Sequence, residues 1–165
     1  MSLRNAIKTS HLVLWSAHLL ASLLLWVTYK YEIIPLESVR KGISLYFWMI
    51  PALLLMQYYI QLRNYKVYLL WLISGIIQFV VYFIAKDNSD FQEVNGNNLA
   101  PLKTLLVMLL SYQFFRQLFK ILTPWELIIT AKRFSSYDLD DKRKLIWLDY
   151  LFSFIIVACL VASFL

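Results

Sequence analysis

Five apolar stretches occupy most of the 165-residue chain, at 12–29, 43–60, 67–85, 104–115 and 145–165, and they restrict the fold more than any other feature. Crossing a bilayer takes roughly 20 mostly apolar residues at about 1.5 Å of rise each, with about 17 as the lower limit. Four of the five meet that length on their own. The pattern predicts an all-α, polytopic integral membrane helix bundle of five transmembrane helices, with spans at about 11–29, 43–61, 67–85, 101–120 and 145–165. Composition agrees: 61% of residues are hydrophobic and only 16% charged, against about 25% charged in an ordinary soluble domain. The longest polar stretch, 132–144, has too few apolar residues to build a core, so residues 1–165 read as one transmembrane domain with no soluble unit attached.

The first stretch follows Arg4 and Lys8 in the manner of a signal peptide, but it exits through Leu25-Trp26-Val27-Thr28-Tyr29. Bulky residues there do not suit a small-x-small cleavage site, and a retained anchor is expected. Orientation follows from lysine and arginine, which hold short loops on the cytoplasmic side. With five spans, one side collects Arg4, Lys8, Arg63, Lys66, Arg116, Lys120, Lys132, Arg133, Lys142, Arg143 and Lys144, which is 11 residues. The other collects Lys30, Arg40, Lys41, Lys86 and Lys103, which is 5. The expected placement is the cell (inner) membrane, N-terminus cytoplasmic and C-terminus outside.

The fourth stretch is the weak element, because only twelve uncharged residues separate Lys103 from Arg116. That is about 18 Å of helix against a hydrocarbon core of about 30 Å. Lys103 and Arg116 can snorkel towards opposite headgroup layers, and the helix can run on through 117–122. If the segment failed to cross, the protein would have four spans plus an interfacial helix, and its orientation would invert.

After it, Thr123-Pro124-Trp125-Glu126 has the form of a capping box with proline at the first helical position. A short cytoplasmic amphipathic helix over about 124–134 is predicted, with Asp138 or Asp140 capping the last span. Lys132, Arg133, Lys142, Arg143 and Lys144 are expected to meet anionic lipid or a partner at headgroup level. The carboxylates Asp138, Asp140 and Asp141 match no diphosphate-enzyme spacing and lie beside three basic residues, so they read as capping groups rather than metal ligands. The lone Cys159 excludes an internal disulfide and a thiolate cluster within one chain.

Polar residues inside the spans are the remaining candidates, since each needs a partner or a wet cavity. Arg116 and Asp149 fall at similar depth on neighbouring antiparallel spans, and an intramembrane ion pair between them is expected. Gln57 and Gln61, and Gln113 and Gln117, repeat an i, i+4 spacing and suit the polar interior of the bundle. Gln78, beside Ser74 and Gly75, marks the close-packed face of span three. His11 and His18 share one face of span one, a pattern compatible with haem ligation or proton transfer. Haem would need a second axial ligand, for which only Met49, Met56 or Met108 is available, and no cofactor is expected. Pro51 should leave a carbonyl of span two without its helical partner. Tyrosines and tryptophans at span ends form an aromatic belt.

No catalytic constellation is recognisable. The leading expectation is a non-catalytic subunit or assembly factor of a larger membrane complex. Its partners would be membrane lipids, other membrane subunits or further copies of itself, and nucleic acid is not among them. A homo-oligomeric pore or small-solute transporter and a haem-binding membrane enzyme are the alternatives.

Overall fold

The computed structural model describes residues 8–93, 96–129, 137–138 and 143–163. Helices α1 (Thr9–Lys30), α2 (Leu36–Gln57), α3 (Tyr65–Ala85), α4 (Thr104–Leu122) and α5 (Trp147–Ala162) make an all-helical bundle. Four helices, α4 counted with the 3-10 turn Ala100–Lys103 that leads into it, are long and apolar enough to cross a membrane. The fourth stretch thus reaches 23 residues, about 34 Å, because helix begins before Lys103 and continues past Arg116. The shorter one is α5, at 16 residues or about 24 Å.

Successive helices alternate in direction. Tyr58 at the end of α2 bonds His11 at the start of α1, and Tyr29 at the end of α1 reaches Asp90 in the α3–α4 connection at 2.7 Å. Asp149 at the start of α5 lies with the first end, while Val161 in its last turn lies beside Lys41 and Asn98 at the second. The first end holds Lys8, Arg63, Lys66, Lys120 and Arg143, and is called the basic end below. The second holds two connections. In the longer one the strands β1 (Gln92–Glu93) and β2 (Gly96–Asn97) pair antiparallel, and Gly96 takes a φ of +125° that other residues disfavour.

The core has two parts. Towards the basic end, Leu55, Tyr59, Leu62, Val67 and Trp71 pack against Leu105, Met108, Tyr112, Phe119, Phe152 and Ile156. Towards the loop end, Val39, Ile43 and Phe47 enclose Phe91, Leu99 and Leu102. Outward faces remain apolar, with Leu20, Leu23 and Leu24 on α1, Ile73, Ile76, Val80 and Phe83 on α3, and Phe154 on α5 all exposed. Such surfaces suit lipid. Helix α4 lies centrally against α2, α3 and α5. Its approach to α3 is closest at Gly75, where a Cβ would stand 3.2 Å from the Leu106 backbone. Ser74, Gly75 and Gln78 are buried on α3 together with Val67, Tyr68 and Trp71.

Pro51 sits within α2, and its missing N–H would have served the Phe47 carbonyl. The fully buried Thr104 hydroxyl of α4 lies 3.1 Å from Phe47 O and 2.6 Å from Pro101 O, so its one proton is shared between the carbonyl that Pro51 frees and the turn that leads into α4.

Two local expectations differ from what is found. No helix forms over 124–129. Thr123 instead closes α4, its N–H and Oγ1 both donating to Phe119 O at 2.8 and 3.0 Å. Leu127, Ile128 and Ile129 are three consecutive apolar residues, all buried. A surface helix would bury only one face of such a run, whereas in this non-helical strap, 126–129, all three side chains enter the basic-end core. Residues 130–134, the rest of the expected helix, lie outside the described residues. The last helix is capped from within: the Asp149 carboxylate at its N3 position accepts the Ile146 N–H at 3.0 Å. Asp138 stands opposite Arg143 in the two-stranded ladder of β3 (Tyr137–Asp138) and β4 (Arg143–Lys144), and Asp140 lies outside the described residues.

Candidate functional site

Three groups of polar side chains stand out against the apolar background. The first is a charged clamp at the basic end. Arg116, on the buried face of α4, grips Glu126 bidentately, Nε to Oε2 at 2.9 Å and Nη2 to Oε1 at 3.1 Å. Lys120, one turn further along, adds a contact of 2.5 Å to Oε1. Burial alone would raise the Glu126 carboxyl, but hydrogen bonds and charge from Arg116 and Lys120 outweigh it and hold the pKa at about 2.

Arg143 makes a second bidentate pair, both guanidinium nitrogens reaching Asp149 at 2.8 Å. Asp149 is fully buried and saturated: Oδ1 also accepts from Ile128 N at 3.0 Å, and Oδ2 from Ile146 N. Backbone groups of the strap are held from several sides. Arg143 Nη2 donates to Glu126 O at 2.8 Å, Arg63 Nη2 to Leu127 O at 2.7 Å and Ser153 Oγ to Ile128 O at 3.3 Å. Irregular backbone among spanning helices needs such partners, because lipid offers none.

Arg116 and Asp149 therefore do not pair with each other as expected. They are joined through Glu126, whose carboxylate takes Arg116 while its carbonyl takes Arg143. The sequence placed both at the right depth but assigned Glu126 to a helix cap, and no local pattern marks a contact ten residues back to Arg116. Lys144 is exposed in β4. Lys132, Arg133 and Lys142 lie outside the described residues.

The second group surrounds His18, which is buried among α1, α2 and α3. Its Nδ1 lies 2.9 Å from the Tyr46 hydroxyl and its Nε2 2.8 Å from the Gln78 amide nitrogen. The two ring nitrogens thus bridge Tyr46 of α2 and Gln78 of α3. Trp71 lies against the ring, with centroids 5.2 Å apart. Ser22 Oγ donates to His18 O at 2.8 Å, one turn back within α1. Gln78 Oε1 is buried and has no hydrogen-bond partner among the described residues. A cavity of about 190 Å³ adjoins this knot, lined by Ser22, Trp26, Phe47, Ser74, Gln78 and Leu102 among others. One and two turns nearer the basic end, Trp15 Nε1 donates to Ser74 Oγ at 2.8 Å and His11 bonds Tyr58. Each histidine thus meets a tyrosine of α2 or its C-terminal cap. Neither tyrosine was foreseen, since a spacing of 28 or 47 residues leaves no trace in a local pattern.

Among the described residues, no group of three His, Cys, Asp or Glu side chains is gathered in metal-binding geometry. Met49 and Met56 are exposed on the outer surface of α2, and Met108 is buried in the basic-end core, so none of the three lies in the contacts of His18 given above.

The third group is the glutamines. Gln57 and Gln117 are exposed, and Gln61 and Gln113 are half-buried. Gln113 Oε1 accepts from Arg116 at 3.4 Å, whereas the Gln61 Oε1 is buried without a partner among the described residues. Gln113 and Gln117 lie with Tyr68, Leu110, Phe114, Leu118 and Ile121 in a groove of about 300 Å³ on the outer surface between α3 and α4.

Comparison with known protein families, with curated proteins and with solved structures gives no match.

Proposed function

We propose that this chain is a non-catalytic subunit or assembly factor of a larger complex in the inner membrane, docking a transmembrane helix of a partner subunit in the α3–α4 groove. In this reading all five helices cross, with the N-terminus cytoplasmic and the C-terminus outside. The course of α5 from Asp149 at the basic end to Val161 beside Lys41 supports the fifth crossing. The excess of Lys and Arg at the basic end supports the orientation.

The observation that carries the proposal is the pair of glutamines on the outer surface of α4. Two amides at i and i+4 in an apolar groove, Gln117 exposed and without a hydrogen-bond partner among the described residues, are poorly matched to lipid. A partner helix carrying hydroxyl or amide groups satisfies them. Internal polar groups are used differently: His18, Ser74 and Arg116 are bonded within the chain and hold the helices to one another.

The test places a photo-crosslinking residue at Phe114, which is exposed in the groove, and purifies the protein in gentle detergent. Crosslinks to a transmembrane segment of a different chain, at fixed stoichiometry and lost in the double variant Gln113→Leu, Gln117→Leu, are the expected result. Crosslinks only to other copies of the chain would favour the homo-oligomeric pore instead. Recovery solely as an uncrosslinked monomer would overturn both. Tags at the two termini should be accessible from opposite sides of the membrane.

A further inference from the structure

A groove of about 460 Å³ runs between α2 and α5 at the loop end, away from the basic end and from the α3–α4 groove. It is lined by Lys41, Ser44, Leu45, Trp48, Asn98 and Val161. Its character changes along its length. Along α2 the lining passes from Lys41 and Ser44 to Leu45 and Trp48, and Asn98 of the α3–α4 connection and Val161 of the last turn of α5 complete it.

We infer that this groove binds one phospholipid, its phosphate at Lys41, Ser44 and Asn98 and the upper part of one acyl chain over Leu45, Trp48 and Val161. The distance from Lys41 to Trp48 along α2 is seven residues, about 10 Å of rise. A change from hydrogen-bond donors to hydrocarbon over that distance matches the passage from headgroup to acyl chain. Its depth is also right, because the apolar part of α2 begins at Ile43, two residues beyond Lys41. An ionised phosphate diester only accepts hydrogen bonds, and all three polar groups of the lining can donate.

Lys41 also pairs with Glu37 at 2.6 Å. Both side chains are largely exposed, and ion pairs of that kind are weak enough for a phosphate to share or displace. A partner helix is a poorer occupant, since it would cover Lys41 without an anionic group obliged to meet it. Lipid is present at this surface in any case, and the groove selects among lipids by the phosphate.

Native mass spectrometry of the full chain tests this, with dioleoylphosphatidylglycerol and dioleoylglycerol added separately to delipidated protein. One dioleoylphosphatidylglycerol should be retained at this site, and dioleoylglycerol should not. Lys41→Gln should weaken retention about fivefold, the usual effect of one basic residue near a phosphate surface. Val161→Trp, which fills the groove, should reduce the bound count by one. Lys66→Gln, exposed at the opposite end, should change neither. Ser44→Ala provides a milder variant if Lys41→Gln elutes as a misfolded species, and it should shift retention in the same direction. Equal retention of the two lipids would overturn the assignment. So would unchanged retention in Lys41→Gln, even if Val161→Trp lost lipid, because the phosphate would then lie elsewhere.

Discussion

The link between Pro51 and Thr104 allows a prediction with its own internal control. Pro51 removes the N–H that would have bonded Phe47 O, and the Thr104 hydroxyl donates to that carbonyl at 3.1 Å. The same hydroxyl lies 2.6 Å from Pro101 O, but Pro101 O also receives the Thr104 backbone N–H. Replacing Thr104 by valine keeps the shape and leaves one group orphaned, the Phe47 carbonyl. A buried unsatisfied acceptor costs about 1–3 kcal/mol, and interhelical hydrogen bonds measured within membranes contribute about 0.6–1.7 kcal/mol. Thr104→Val should therefore destabilise the bundle by about 1–2 kcal/mol. In a Pro51→Ala background the alanine restores the backbone N–H, Phe47 O is served within α2, and the same substitution should cost about 0.5 kcal/mol or less. Reversible unfolding in mixed dodecyl maltoside and dodecyl sulfate micelles measures all four corners of the cycle. The volume lost at buried Pro51 appears on both sides and cancels. Equal costs of Thr104→Val in the two backgrounds, within about 0.3–0.5 kcal/mol, would refute the proposed substitution of one donor for the other.

Asp149→Ala should leave the buried Arg143 guanidinium and the Ile128 N–H without their acceptor and destabilise the protein by about 3–5 kcal/mol, with new protease cleavage at 126–129 as the local readout; unchanged cleavage would show that the strap does not depend on the clamp. Arg143→Lys should be destabilising in the same way, because an ammonium cannot make the bidentate contact. The Glu126 carboxyl is held below its ordinary value, so its contribution is fully present above about pH 4.5 and is lost as pH falls through about 2. Thermal stability should then be insensitive to this group from pH 6 to 9 and fall below pH 4.5, and Glu126→Gln should remove that acid limb while lowering stability at neutral pH. Gly75→Ala would bring a Cβ to 3.2 Å from the Leu106 backbone and should cost about 1–3 kcal/mol as α3 and α4 separate, whereas Gly42→Ala meets no atom within 4 Å and should be tolerated.

Helix positions and the buried face of α3 were legible because apolar runs and small residues act locally. The boundaries of α1 and α3 lie close to those expected from hydropathy, whereas α2 starts seven residues before the expected 43, through the more polar 36–42, and ends four before the expected 61. What depended on distant pairing was less legible. Glu126 three residues after Thr123 has the pattern of a capping box, yet its carboxylate serves Arg116 and Lys120 on the preceding helix. Charge attraction within a half-buried site exceeds what a surface helix would have gained from that cap. Likewise, His18 was identifiable as a residue needing a partner, but only the packing of α2 and α3 against α1 identifies Tyr46 and Gln78 as those partners.

The fourth segment shows that hydropathy ranks helices by suitability for lipid and not by place in the bundle. Its twelve uncharged residues made it the weakest candidate by length, yet α4 is central and touches α2, α3 and α5. Hydropathy measures suitability for lipid, and a helix surrounded by protein is partly released from that demand. Thr104, Tyr112 and Arg116 can therefore occupy its buried face, each bonded to a neighbour: Thr104 to Phe47 O, Tyr112 to Tyr59 O at 2.9 Å and Arg116 to Glu126. Those polar residues shortened the apolar run, and they are also what fixes the helix in place. By contrast α5, unbroken in the sequence, packs on one side only, exposing Leu151, Phe154 and Val161 while burying Phe152, Ile156 and Leu160. Lipid exposure demands an apolar surface there and central burial does not, so the more uniform helix is the more peripheral one. On that logic Gln117, exposed on the outer surface of α4 beside Gln113, is the group that the proposed partner helix would meet.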